Sequence, residues 1–213
     1  MAFAGISALP ILTLNAAASP ALTISWENNF LTIRGEHLPG KEMKVQYLEA
    51  YCRPNSQTTD WVKHTVVGHK TALISASPDH RQIKLHCTLT DGVIVDHTIT
   101  ARADEVDFRI VARNPRATRS EAHWAQPCIR VGEFTGTAGC FSADDKMIFA
   151  TAFEPYQELF QGVATCLHSD FRLGGLQPGE TKKVRGKIYF VPNDVPKLLK
   201  RYAKDFPEQV RKK

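Results

Sequence analysis

Residues Lys84–Thr100 read "KLHCTLTDGVIVDHTIT", and this stretch decides the fold. Two runs rich in Leu, Val, Ile and Thr flank Asp91-Gly92, a dipeptide suited to the positive φ angles of a tight hairpin turn. In the second run Val93, Val95, His97 and Ile99 share one face, against Ile94, Asp96, Thr98 and Thr100. A period of two with one apolar and one wetter face is the mark of an antiparallel strand packed on one side.

The same signal recurs on both sides. "LTISW", "FLTIRG", "MKVQYLEAYC" and "TALISAS" precede the hairpin. "VDFRIVARN", "EAHWAQPCIRVGEF", "DKMIFATAF", "GVATCLHSDF" and "KKVRGKIYFV" follow it. Gly-, Pro- and Asp-rich dividers separate the runs, as expected for short strands and turns. "EPYQELF" reads as a short helix or turn. "NDVPKLLKRYAKDF" is the one long helix candidate, with Asn193 or Asp194 as its cap and Pro196 in the first turn. The expectation is all-β: a large antiparallel β-sandwich over residues 21–192, closed by a C-terminal basic helix and tail over residues 193–213.

Residues 1–20 carry no charge, and the first charged residue is Glu27. An apolar run ending in Ala16-Ala17-Ala18 fits an export signal and its cleavage site, which places the mature protein in the periplasm or outside the cell. The alternative is a first strand, "ILTL", at a sheet edge. Pro10 and the shortness of the run speak against a membrane span, and no other stretch nears spanning length. The net charge of +5 owes much to residues 197–213, where seven are Lys or Arg. These read as a solvated helix face; basic and aromatic residues do not interleave as in a single-strand nucleic-acid platform, so no nucleic-acid partner is expected.

Cys52, Cys87, Cys128, Cys140 and Cys166 form no close C-x-x-C pair, and no metal site or cofactor is expected. Export permits up to two disulfides; a reducing compartment leaves five small hydrophobes, and spacing does not assign the pairing. "LHC" and "CLH" each set a histidine near a cysteine without fixing their registers in space. A Gly-rich phosphate loop, a G-x-S-x-G elbow and an H-E-x-x-H helix are all absent from the sequence, which weakens nucleotide, esterase and zinc-protease readings.

"SEAHWAQPCIRVGEF" is unlike its neighbours. Alternation sets Trp124, Gln126, Cys128 and Arg130 on one face and His123, Ala125, Pro127 and Ile129 on the other. Pro127 cannot donate to a ladder, so the strand is expected at an edge or bulged there. An aromatic beside amide and guanidinium donors suits stacking on a sugar and hydrogen-bonding its hydroxyls; the bland alternative is a tryptophan anchoring the core.

The run "ITARADEVDFRIVARNPRATRSEAHWAQPCIRV" resembles the middle of a galactose-mutarotase-like supersandwich, and "GGLQPGETKKVRGKIYF" is similar to the closing turn and strand of that fold. The likeness covers residues 85–192. It matches Asn114 to a loop asparagine, His123 to a sugar-contacting histidine and Trp124 to its neighbouring aromatic. It also resembles exported bacterial proteins that share the "HWAQPCIRV" and "EPYQELFQG" blocks and carry an insert where "GTAG" stands here. Mutarotases need a second histidine and a late glutamate; His168 with Glu158 or Glu154 is available, without the family's local motif. The resemblance therefore implies a non-catalytic carbohydrate-binding module with His69, His123, Trp124, Gln126, Arg130, Glu154, Glu158 and His168 toward an oligosaccharide. The alternatives are a sugar epimerase or polysaccharide lyase acting through His123 with Glu158 or His168, and a structural sandwich without a small ligand.

Overall fold

The computed structural model describes residues 21–55, 59–134, 140–161 and 165–210. The first part of the chain gives β1 (Thr23–Glu27), β2 (Phe30–Arg34), β3 (Glu42–Cys52), the one-turn α1 (Trp61–His64), β4 (Val66–Val67) and β5 (His69–Ala76). Then come β6 (Gln82–Leu89), β7 (Ile94–Ala101), β8 (Glu105–Arg113) and β9 (Trp124–Arg130). The last are β10 (Met147–Glu154), β11 (Tyr156–Gln161), β12 (Cys166–Arg172), β13 (Thr181–Pro192) and α2 (Val195–Asp205). They build two antiparallel sheets. The seven-stranded sheet runs β1-β2-β3-β9-β12-β11, with β4 also on β3, and the six-stranded sheet runs β10-β13-β8-β7-β6-β5. The expected all-β sandwich with a long C-terminal helix is what forms. The apolar segment 1–20, with its export reading, lies outside the described residues.

The β6–β7 hairpin behaves as its sequence demands. Gly92 takes φ 92°, and the Leu89 N–H donates to Val93 O at 2.9 Å. Val95, His97 and Ile99 are buried, while Asp96 turns outward to His86 and Arg113. Facing side chains of the two sheets meet in a row of rings: Tyr47 on Phe108 at 5.2 Å, Phe108 on Phe153 at 5.4 Å and Phe153 stacked on Phe171 at 5.4 Å. A Cβ on Gly186 would stand 2.2 Å from the Phe153 ring, so only glycine lets β13 pass beneath it.

His97 is the polar exception inside this core. Its Nδ1 shares a hydrogen bond with Tyr47 Oη at 3.0 Å, and its Nε2 approaches Tyr51 Oη at 3.3 Å and Cys87 Sγ at 3.5 Å. Burial pushes its pKa down to about 3, with Asp96 opposing and His69 and His86 adding to the fall. The neutral ring thus gives two buried tyrosine hydroxyls a hydrogen-bond partner inside the core.

Two local expectations change. "EPYQELF" forms strand β11: Glu158 pairs with Asp170 and Phe160 with His168. An isolated helix of that length is too short to repay its nucleation, whereas the open edge of β12 supplies ladder bonds. Strand β9 is interior, between β3 and β12, although it contains Pro127. The irregularity is carried by its neighbour: Gln46 pairs with Cys128 and Ala50 with Gln126, so Tyr47, Leu48 and Glu49 of β3 stand against the single residue Pro127 of β9. A proline inside a sheet forfeits a ladder bond, and a bulge absorbs the mismatch. A second bulge lies on the outer edge, where β5 shifts register between Leu73 and Ser75 and leaves Ile74 63% exposed.

The C-terminal helix is docked. Asp194 caps it by accepting from the Lys197 N–H at 3.0 Å, and Leu198 and Tyr202 pack on Ile148, Tyr189 and Val191 of the six-stranded sheet. Arg201 grips Asp104 through two bonds and also reaches Glu105, which holds Lys187 at 2.9 Å. Part of the basic character read from the tail is therefore spent on pinning the helix to the sheet.

Two outcomes are expected. The unfolded chain protonates histidine near pH 6.5, while folded His97 stays neutral down to about pH 3. The unfolded state thus binds the extra proton between these values, and stability falls as pH drops from 6.5 toward 3, by up to about 1.4 kcal/mol per pH unit. Urea midpoints between pH 6.5 and 5 should show a shallower slope for His97→Gln than for the native chain. Gly186→Ala should lose about 1–3 kcal/mol through overpacking against Phe153, read from the same urea curves.

Candidate functional site

The outer face of the seven-stranded sheet carries an unusual set of side chains. Along β9 the core takes Ala125 and Ile129, so alternation turns Trp124, Gln126, Cys128 and Arg130 outward. Along β12 the core takes Leu167 and Phe171, which turns out Cys166, His168 and Asp170. Register then sets His168 opposite Cys128 on one side and opposite Phe160 of β11 on the other. The β3 bulge contributes the third wall: Leu48 enters the left-handed region at φ 59° and stays in the core, while Glu49 reaches over to accept from Gln126 Nε2 at 3.1 Å.

These groups are packed closely. Cys128 and Cys166 are joined by a disulfide, with Cα atoms 6.2 Å apart. Cys166 Sγ lies 3.1 Å from His168 Nε2, and the Phe160 and His168 rings stack at 4.6 Å with 4° between their planes. His168 Nδ1 has no hydrogen-bond partner among the described residues, though Glu49 Oε2 stands 3.8 Å away. Asp170 is only 1% exposed, and its Oδ1 is likewise unpartnered. Burial first, and then the carboxylates of Glu158 and Glu49, push the Asp170 carboxyl up to about 8. Burial lowers the His168 pKa, Glu49 opposes the fall and Arg130 assists it. At neutral pH the strip thus presents a neutral imidazole and a protonated acid beside two other carboxyl side chains. At its rim Arg130 donates to Gln46 Oε1 at 3.2 Å.

Of the residues singled out in the sequence, Gln126, Arg130, Glu158 and His168 come together on this strip. Trp124 shares the face but lies toward its other end, opposite Arg172 and Cys52. It is 9% exposed, donates through Nε1 to Arg53 O at 3.0 Å, and packs with Ala50, Cys52 and Val66. Its ring is covered by Trp61, 6.1 Å away, which is the more accessible aromatic of the pair. The other three lie elsewhere. His123 precedes β9, with its imidazole against Gly175, whose φ of 66° and lack of a Cβ make room for it. His69 is on β5 of the other sheet, its ring 5.1 Å from Tyr51. Glu154 ends β10 and accepts from Gln209 Nε2 at 2.7 Å. Asn114, matched through the resemblance to a loop asparagine, is a buried structural brace that donates to Thr118 O and Leu176 O.

Glu49, Trp61 and Asp170 escaped the sequence reading. A two-residue bulge, a one-turn helix and a carboxylate in an ordinary "HSDF" strand leave no local pattern to find. "LHC" and "CLH" turn out differently for a simple reason. His86 and Cys87 are adjacent in β6 and point to opposite faces, whereas Cys166 and His168 are two apart in β12 and point to the same one.

No protein-family model matches the chain, and no curated protein matches it.

Trp124→Ala should cost about 3–5 kcal/mol, the usual penalty for emptying a buried tryptophan site. Trp61→Ala should cost distinctly less. Thermal melts of the two variants make the comparison, and equal losses would mean that Trp124 is not the anchor of this end of the sheet.

Proposed function

We propose that the outer face of the seven-stranded sheet binds a neutral, hydroxyl-rich saccharide without turning it over. One observation carries the reading. His168 Nδ1 and Asp170 Oδ1 belong to residues more than nine-tenths buried, yet neither atom has a hydrogen-bond partner among the described residues. Leaving such atoms unpaired costs about 1–3 kcal/mol each, and a ligand whose hydroxyls reach them once the rim side chains shift aside would recover that. The rim supports the same chemistry: Arg130, Gln126 and Glu158 supply donors and acceptors in different directions, and Phe160 supplies an apolar ring beside them. The resemblance of residues 85–192 to the galactose-mutarotase-like supersandwich points to the same ligand class, and an exported protein would meet such ligands outside the cytoplasm.

Binding is preferred to catalysis because the acid–base partners do not assemble. His123 lies five residues along the chain from Cys128, the residue facing His168, which amounts to about 16 Å in an extended strand. A second reading, proton transfer on a sugar, is favoured by one feature: Glu158 stands directly across the β11–β12 ladder from Asp170, two pairs from His168 on the same face.

Calorimetric titration with an oligosaccharide panel tests the first reading. Arg130→Ala and Glu158→Gln should each weaken binding at least tenfold with little change in melting temperature, because both side chains are at the rim. Binding by neither the native chain nor any variant, or binding indifferent to both changes, would remove it. Incubating the bound sugar in deuterated water separates the second reading: deuterium entering a C–H position, and lost in Glu158→Gln, would establish proton transfer.

A further inference from the structure

We propose that Cys128, Cys166 and His168 form, in the reduced protein, a Cys₂His site for a zinc-class cation, mutually exclusive with the disulfide that joins the two cysteines. This departs from the expectation of no metal drawn from the sequence, and it stands independently of the saccharide reading, since it needs no sugar.

The donor set comes together without rearranging the backbone. Cys128 Sγ, Cys166 Sγ and a ring nitrogen of His168 lie within 4.8 Å of one another, all on buried residues of two paired strands. Ligand atoms around a tetrahedral zinc ion, with bonds of about 2.3 Å to sulfur and about 2.0 Å to nitrogen, stand about 3.5–3.8 Å apart. Opening the bridge and rotating two side chains brings the sulfurs into that range. Two thiolates and an imidazole are the ligands that select zinc over oxygen-preferring cations.

The surroundings fit a ligating histidine. Nε2 faces the sulfur at 3.1 Å, so Nδ1 is the outer nitrogen, and it is turned toward Glu49 Oε2 at 3.8 Å. A carboxylate behind the second ring nitrogen is how ligating histidines are commonly oriented and made more basic. Phe160 stacked on the imidazole fixes the ring plane. Three protein ligands leave the fourth position to an external oxygen donor, the pattern of an open site. Cys52, the other buried thiol near this face, is held as a thiol: burial, with Asp170 and Glu49 beside it, pushes its pKa far up.

The chemistry balances. A dithiol reductant gives two electrons and two protons to the Cys128–Cys166 bond and leaves as its own disulfide, yielding two protein thiols. The divalent cation then binds both sulfurs, and two protons are released to solvent. Exchange of the apo dithiol with a small-molecule disulfide, which takes the two electrons and two protons and leaves as two thiols, restores the bridge and closes the site.

The test uses the full chain, reduced with a dithiol, desalted under anaerobic conditions and titrated with Co²⁺ alone. One equivalent should produce the visible bands of tetrahedral cobalt and near-ultraviolet thiolate charge transfer, and Zn²⁺ should bleach both. The oxidised chain should give neither. Glu49→Gln should weaken binding about tenfold, as for other second partners of ligating histidines, and Cys52→Ser should leave the spectrum unchanged. Because Cys128 and Cys166 are buried in paired strands, where a serine changes the packing as well as the ligand, alkylation of the native sequence gives a reading free of substitution. Zn²⁺ should protect Cys128 and Cys166 together from iodoacetamide, as mapped by mass spectrometry. A reduced, folded chain with no thiolate charge transfer, or zinc that fails to protect these two cysteines, would overturn the proposal, whatever the outcome with saccharides.

Discussion

A proline in the middle of a central strand is the constraint around which the outer face of the seven-stranded sheet is arranged. Pro127 has no N–H to give, yet β9 must sit between β3 and β12 for the seven-stranded sheet to close over its core. The mismatch is taken up in β3, where three residues stand against the one residue Pro127 of β9. That bulge sends Leu48 inward and carries Glu49 across to Gln126. With a regular β3, the carboxylate would not reach His168 or Asp170, and the outer face would lose the charge that shapes both of their titrations. An irregularity that looks like a fault in the ladder is thus what gives this face its chemistry.

The two sheets are tied at the corner where the chain passes from β8 to β9. Asn114 donates to Thr118 O and Leu176 O and accepts from the Arg116 N–H at 3.0 Å, while its own N–H donates to Glu180 O. Asp91, at the tip of the β6–β7 hairpin, accepts from Ser120 Oγ and the Glu121 N–H. These bonds settle where β9 enters the sheet, and hence which of its residues face outward. The disulfide then fixes β9 to β12 on the outer side, while Phe171 and Ile129 fix them on the inner side. The strip is consequently held from both faces, the kind of rigid placement that a binding constellation requires.

Much of the architecture could be read from the chain because alternation is a local property. The hairpin at Asp91-Gly92, the inward face of β7 and the Asp194-capped helix need only neighbours in sequence to be recognised. So does the division of β9 into a Trp124–Gln126–Cys128–Arg130 face and an Ala125–Ile129 face. What was not legible depends on register between distant strands. Cys128 and Cys166 are 38 residues apart, and nothing in their spacing says that β9 and β12 are neighbours. Strand β11 was hidden because an edge strand with both faces partly wet has little period to show. His123, Trp124 and His69 drew attention by residue type; one lies beside Gly175, one is covered by Trp61, and one is in the opposite sheet. Residue type alone does not distinguish a polar side chain used for packing from one kept for a ligand.

The bulge in β5 bears on how these molecules behave toward one another. An outermost strand with Leu73 and Ile74 open to solvent would, if flat, offer a row of unpaired amides and carbonyls to the same strand of a second copy. The register shift between Leu73 and Ser75 breaks that row where its side chains are most adhesive. Edge-to-edge stacking into longer sheets is thereby discouraged by backbone shape, at a position where no charged residue separates the two apolar ones. In a crowded compartment such protection does not fade as salt rises, unlike protection by repulsion between like charges.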